Sequence, residues 1–188
     1  MTQTYSTYAI TLYFDKDSTE KIRTLTSELA GVTQNDYMVR NSVPPHLTLG
    51  MFHAEDADEE KVKELFTEFA GGVAKDVMAD GALNVEFSGV ESFLDKVLFI
   101  KPEKNERLSR LNSNLHELFL AHFEPADNRN YLPENWYPHI ALAVKLDHGQ
   151  FEKGMDFLKT TQVISSCRCV QIGLARCDPY TQLVDVAL

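Results

Sequence analysis

The chain has 188 residues, 44% of them hydrophobic and 24% charged, with a formal net charge of −10. That length suits one domain with a sizeable core, or two small lobes sharing one, and the ordinary composition excludes disorder as the overall state. The acidic balance argues against a broad, non-specific grip on nucleic acid, which needs many Lys and Arg contacts to phosphates, but it leaves room for a local pocket that takes one phosphate.

The three cysteines are too few and too odd in number for a disulfide framework. Cys167 and Cys169 fall on one expected strand with Cys177 further along it, and no fourth ligand stands near enough for a zinc site. Small buried side chains in a reducing compartment are the expectation. The N-terminus shows no basic start followed by an apolar run, and no apolar stretch approaches the roughly 20 residues that span a bilayer. The expected location is cytoplasmic, with no membrane contact.

In chain order, Tyr8–Phe14 reads as a strand, rich in aromatic and β-branched residues. A helix is predicted over about 19–30, with Ile22, Leu25 and Leu29 at helical spacing and Gly31 ending it. Pro44-Pro45 stiffens the approach to a strand beginning at His46. A helix follows with Val62, Leu65, Phe66 and Phe69 as its apolar stripe and Gly71-Gly72 as its stop. Leu83–Val90 alternates as a half-buried strand, and Val97–Ile100 is another. Glu103–His122 reads as a long amphipathic helix, 123–135 as loop, and 137–146 as a second histidine strand. A short helix over 151–158, a strand over 163–177 bulged near Gly173, and an edge strand over 182–187 complete the chain. Each half reads strand, helix, histidine strand, helix, strand, with no Gly-, Ser- or Pro-rich linker between them. The predicted class is α+β: a single bilobal domain over 1–188, two pseudo-symmetric lobes with mainly antiparallel sheets, outer helices and a shared cleft.

The chemistry concentrates in Pro45-His46-Leu47-Thr48-Leu49 and its echo half a chain later, Pro138-His139-Ile140-Ala141-Leu142. Alternation along a strand puts His46 and Thr48 on one face and the leucines on the other; His139 and Ala141 share a face in the same way. These paired segments resemble the signature of the two-histidine phosphoesterase superfamily, which includes the bacterial RNA 2',3'-cyclic phosphodiesterases also called 2'-5' RNA ligases. That signature is two copies of His-x-Thr/Ser flanked by apolar residues. The first copy here matches fully, whereas the second has Ala141 where the family has Thr or Ser.

The resemblance implies a metal-independent phosphodiesterase in which His46 and His139 act as general base and acid, with no cofactor. Unperturbed imidazoles titrate near neutral pH, so one neutral and one protonated ring serve both jobs. Thr48 would donate a hydrogen bond to a non-bridging phosphate oxygen. Tyr137, on the His139 face, is a candidate to stack on a base or bind phosphate. The implied substrate is a small nucleotide or RNA terminus, either a 2',3'-cyclic phosphate or a 2'-5' linkage, with reverse 2'-5' ligation as a further activity and no obligate protein partner.

Rival readings are a non-catalytic nucleotide- or RNA-end-binding module with a degenerate second motif, motivated by Ala141, and a partner-binding domain with no phosphate site. Arg129, Lys145, Arg168 and Arg176 are candidate phosphate counter-charges. His53, His116, His122 and His148 are expected in surface or capping roles, and Trp136 in packing. No P-loop and no Gly-x-Ser-x-Gly elbow is present.

Overall fold

The computed structural model describes residues 5–177 and 180–188. Its strands are β1 (Tyr5–Phe14), β2 (His46–Glu55), β3 (Leu83–Phe93), β4 (Val97–Pro102), β5 (Glu124–Pro125), β6 (Ile140–Ala143), β7 (Ser166–Cys177) and β8 (Tyr180–Ala187). Its helices are α1 (Lys16–Thr33), α2 (Tyr37–Arg40), α3 (Glu59–Asp80), α4 (Glu106–Phe119) and α5 (His148–Thr160). The strands run in the order β5-β2-β1-β7-β3-β4-β6, with β8 beside β7, and every pair is antiparallel.

Strand β3 joins two halves of this sheet. Leu83–Glu86 pairs with β7, while Phe87–Phe93 pairs with β4. The register slips between Phe87 and Gly89, and Gly89 takes φ +124°, a conformation that only glycine adopts without strain. The strand therefore bends from one lobe into the other. One lobe holds β5-β2-β1-β7-β8 and the first histidine; the other holds β3-β4-β6 and the second.

The helices exchange between lobes. α1 follows β1, yet it packs on β6 and α5, over the second lobe. α4 follows β4, yet it packs on β2 and α3, over the first. Each lobe thus buries its apolar face under one helix of its own and one from the other half. In the first lobe Leu12, Leu47 and Ile172 lie directly across from one another and all are fully buried. In the second, Ile100 and Ile140 are paired and buried in the same way. Burying a Leu or Ile side chain is worth about 1.5–3 kcal/mol, so this helix-covered face carries most of the stability.

Several boundaries differ from expectation. α1 starts earlier, because the Asp15 carboxylate accepts from the Ser18 backbone N–H at 3.0 Å and caps it. It runs through Gly31 to a left-handed Gln34, and α3 runs through Gly71-Gly72 to Gly81. Interior glycine costs a helix only about 1 kcal/mol, and the buried Leu29 and Thr33 in α1 and Ala70 and Val73 in α3 outweigh that. α5 starts earlier at His148, where Asp147 and Gln150 form a reciprocal capping box. β6 is shorter than predicted and begins one residue after His139. His116 corrects a surface expectation: it is 2% exposed inside α4.

Candidate active site

The face of the sheet opposite the helices carries the polar residues. Directly opposed residues share a face, and the ladder places Tyr13 across from His46 and Thr11 across from Thr48. In the second lobe Phe99 lies across from Ala141. Lys101 follows Ile100 in β4, and its Nζ stands 5.5 Å from the centroid of the Tyr137 ring, two residues before His139. The two halves therefore present equivalent strand pairs, β1 with β2 and β4 with β6, each ending at a histidine.

The histidines are held alike. His46 Nδ1 lies 2.7 Å from the Pro44 carbonyl oxygen, and His139 Nδ1 lies 3.0 Å from that of Tyr137. A carbonyl only accepts, so Nδ1 is the protonated nitrogen in both rings. Nε2 is left as a lone pair in the neutral form and as an N–H donor in the cation. The proline before each histidine fixes the extended turn that brings this carbonyl back over the ring.

Surroundings differ between the two. The Tyr13 ring stands 6.5 Å from His46. His139 meets the Phe93 and Phe99 rings edge-on at 5.1 and 5.6 Å, with Tyr131 at 6.3 Å. Burial lowers the pKa of both imidazoles below the ordinary histidine value, opposed in each by the backbone carbonyl. His46 is lowered further, and least, by the charge of His139. His139 is raised by the Asp127 carboxylate.

Thr48 is 8% exposed, and its hydroxyl engages the phenol of Tyr131. Burial, then Asp127, pushes the Tyr131 pKa up to about 12. Trp136 is buried, as expected of a packing residue, and its indole Nε1 donates to the Thr48 carbonyl at 3.1 Å. Tyr137 is exposed at the cleft; its hydroxyl donates to Glu91, whose carboxylate also holds Lys101 Nζ at 2.6 Å. Among the described residues no three His, Cys, Asp or Glu side chains gather closely enough to hold a metal ion.

A family model described as the 2'-5' RNA ligase superfamily matches residues 13–178. The chain belongs to that superfamily. As a 2'-5' RNA ligase superfamily member it shares its fold with Escherichia coli LigT complexed with 3'-AMP, at 15% identity and TM-score 0.60, covering 98% of this chain and 99% of that one. The MHV ns2 PDE domain resembles it at 14% identity and TM-score 0.52, over 77% of this chain and 86% of that domain. A Geobacillus sp. (strain WCH70) protein that carries the name phosphoesterase is 30% identical over 111 residues. That match spans 58% of this chain and 56% of the relative's length. No helix among the described residues is long and apolar enough to cross a membrane.

Three of the four basic residues singled out from the sequence are placed by other contacts. Arg176 pairs with Glu59 of α3, Lys145 Nζ lies 4.1 Å from the Tyr37 ring centroid, and Arg168 sits beside the Asp15 helix cap. Arg129 shares a turn with Asp127 and Asn128 in which all three residues have positive φ. Lys101 alternates with the core residue Ile100 along β4 and so shares the face of Phe99 and Ala141. Neither it nor Glu91, Tyr131 or Asp127 stands out in the sequence, since only strand register and a folded-back loop bring them to the histidines.

Proposed function

We propose that this superfamily member is a phosphodiesterase that opens 2',3'-cyclic phosphates, or cleaves 2'-5' linkages, at small RNA-type substrates, with His46 and His139 as its catalytic residues. The observation that carries the reading is the matched tethering of the two rings. Each Nδ1 is tied to the carbonyl two residues earlier, so each Nε2 is free for proton transfer.

The surroundings divide the labour. Two nearby imidazoles resist carrying charge together, so one is neutral while the other is protonated. The Asp127 carboxylate favours the charge on His139, and His139 in turn keeps His46 neutral. His46 Nε2 takes a proton from water, the water oxygen forms a bond to phosphorus, and the P–O bond opposite it breaks. His139 Nε2–H then gives its proton to the leaving ribose oxygen. Thr48 steadies a non-bridging oxygen as charge builds, and Lys101, next to Tyr137, supplies positive potential to the bound phosphate. Tyr137 lines the entrance.

The test is turnover of 2',3'-cyclic mononucleotides by the purified protein in excess chelator, read as appearance of the opened monophosphate. Tight monophosphate binding without turnover of any cyclic or 2'-5' substrate would instead support the non-catalytic module that Ala141 suggests.

A further inference from the structure

On the cleft face of β7, Gly173 leaves a space that three side chains fill. A methyl at this position would collide with Gln182 Nε2, Tyr13 Cε2 and Asp185 Oδ1, the last at 2.8 Å. These groups form one hydrogen-bonded array. Tyr13 and Tyr180 both donate to Gln182 Oε1, at 2.9 and 2.8 Å, and Gln182 Nε2 donates to Asp185 Oδ1 at 2.6 Å. The Gln182 amide is thereby fixed in orientation, and through it the carboxylate.

The ladder sets this array on the face that bears His46. Thr48, Thr11, Gly173 and Asp185 are successive cross-strand partners across β2, β1, β7 and β8. The row spans three strand spacings, about 14 Å between backbones. The Asp185 side chain leans inward over Gly173, so its carboxylate lies on the histidine side of its own backbone. The Tyr13 ring bridges the two, touching the array at its hydroxyl and standing 6.5 Å from the His46 ring. Asp185 is solvent-exposed, and the contact its carboxylate makes among the described residues is the one from Gln182.

We propose that this array reads the base of the bound nucleotide and that Asp185 selects guanine. The inference rests on the phosphodiesterase reading above. A carboxylate offers acceptors alone, four lone-pair sites on two oxygens, and one of these is occupied by Gln182. Guanine presents two adjacent N–H donors, N1–H and N2–H, and both find acceptors here. Adenine and cytosine place an acceptor beside their donor and meet the carboxylate with one repulsive contact. Uracil offers one donor between two carbonyls. Rigid, well-placed pairing of this kind discriminates by about tenfold to a hundredfold.

The experiment compares kcat/KM for the four 2',3'-cyclic mononucleotides in wild-type protein and in Asp185→Asn. The wild type should prefer guanine over adenine by at least about tenfold. Asparagine presents one donor and one acceptor, the complement of adenine, so the guanine-to-adenine ratio should fall to one or below. Equal turnover of all four nucleotides by the wild type, or a guanine preference that survives Asp185→Asn, overturns the inference and leaves the phosphodiesterase reading standing. If no cyclic nucleotide is turned over, that reading fails. Base selection is then decided by calorimetric binding of guanosine against adenosine 2'-monophosphate, where about tenfold tighter guanosine binding supports it and equal affinity ends it.

Discussion

The indole of Trp136 donates to the backbone carbonyl of Thr48 at 3.1 Å. Three residues before the second histidine, the chain is thus fastened to the strand that carries the first. On the two-histidine reading, this bond and the β4–β6 pairing help hold the second imidazole in place relative to the first. Trp136→Phe keeps most of the buried volume and deletes the donor. It should lower stability by about 1–3 kcal/mol, because the Thr48 carbonyl is left without that partner. It should also lower kcat by about tenfold or more, since small misplacements at a reacting centre cost rate steeply. Urea melts and steady-state kinetics on the same variant separate the two effects.

The pH dependence follows from the directions of the two shifts. Both histidines are lowered, chiefly by burial. The base must be neutral and the acid protonated, so kcat/KM should follow a bell whose maximum lies below the ordinary histidine value of about 6.5. Asp127 raises His139. Asp127→Asn should therefore move the alkaline limb to lower pH and leave the acidic limb nearer its place. An alkaline limb that stays fixed would remove Asp127 from the account.

Ala141 stands where a second hydroxyl is expected from the motif, opposite Phe99 in the ladder. Ala141→Thr should leave the rate unchanged or raise it, with a ceiling near the worth of one hydrogen bond to a charged group, about 1.5–3 kcal/mol or ten- to a hundredfold. A sharp fall in rate would mean that the methyl is fitted to a different ligand.

Acid should unfold this protein early, and His116 is one reason. Its Nδ1 donates to the Asn112 carbonyl at 2.8 Å, while its Nε2 has no partner among the described residues. Burial lowers its pKa in the folded state, as it does for His46 and His139. Above about pH 6.5 neither the folded nor the unfolded chain protonates these rings, and they add no pH dependence. Below that, the unfolded chain takes up protons that the folded interior refuses, so stability falls as the pH drops until the lowered folded values are reached. Each such histidine contributes up to about 1.4 kcal/mol per pH unit. The loss between pH 7 and 5, measured by urea melts, should be smaller in His116→Gln than in the wild type.

The sequence makes the two histidine strands legible because their signal is local: a proline, a histidine and alternating leucines. Element types are mostly legible too, since Ile22, Leu25 and Leu29 or Val62, Leu65 and Phe66 repeat at helical spacing. Helix ends are not, because Gly31 and Gly71-Gly72 read as stops until the tertiary contacts around them are known. The exchange of α1 and α4 between lobes is likewise invisible, since nothing in an amphipathic stripe names the sheet that it covers. Lys101, Glu91 and Asp185 look like ordinary surface charges in the chain. Their place on the cleft face depends on register shifts near Gly89 and Leu174 that no local pattern announces.

The central claim is that one phosphoryl group is handled by two histidines from opposite halves of the chain. The measurement that tests it most directly is the rate of 2',3'-cyclic nucleotide opening, in chelator, for His46→Ala, His139→Ala and the double variant. The account predicts a loss of about 10²–10⁴-fold for each single variant, and a double variant no slower than the worse single, because the pair acts as a unit. Full turnover in both single variants would contradict it.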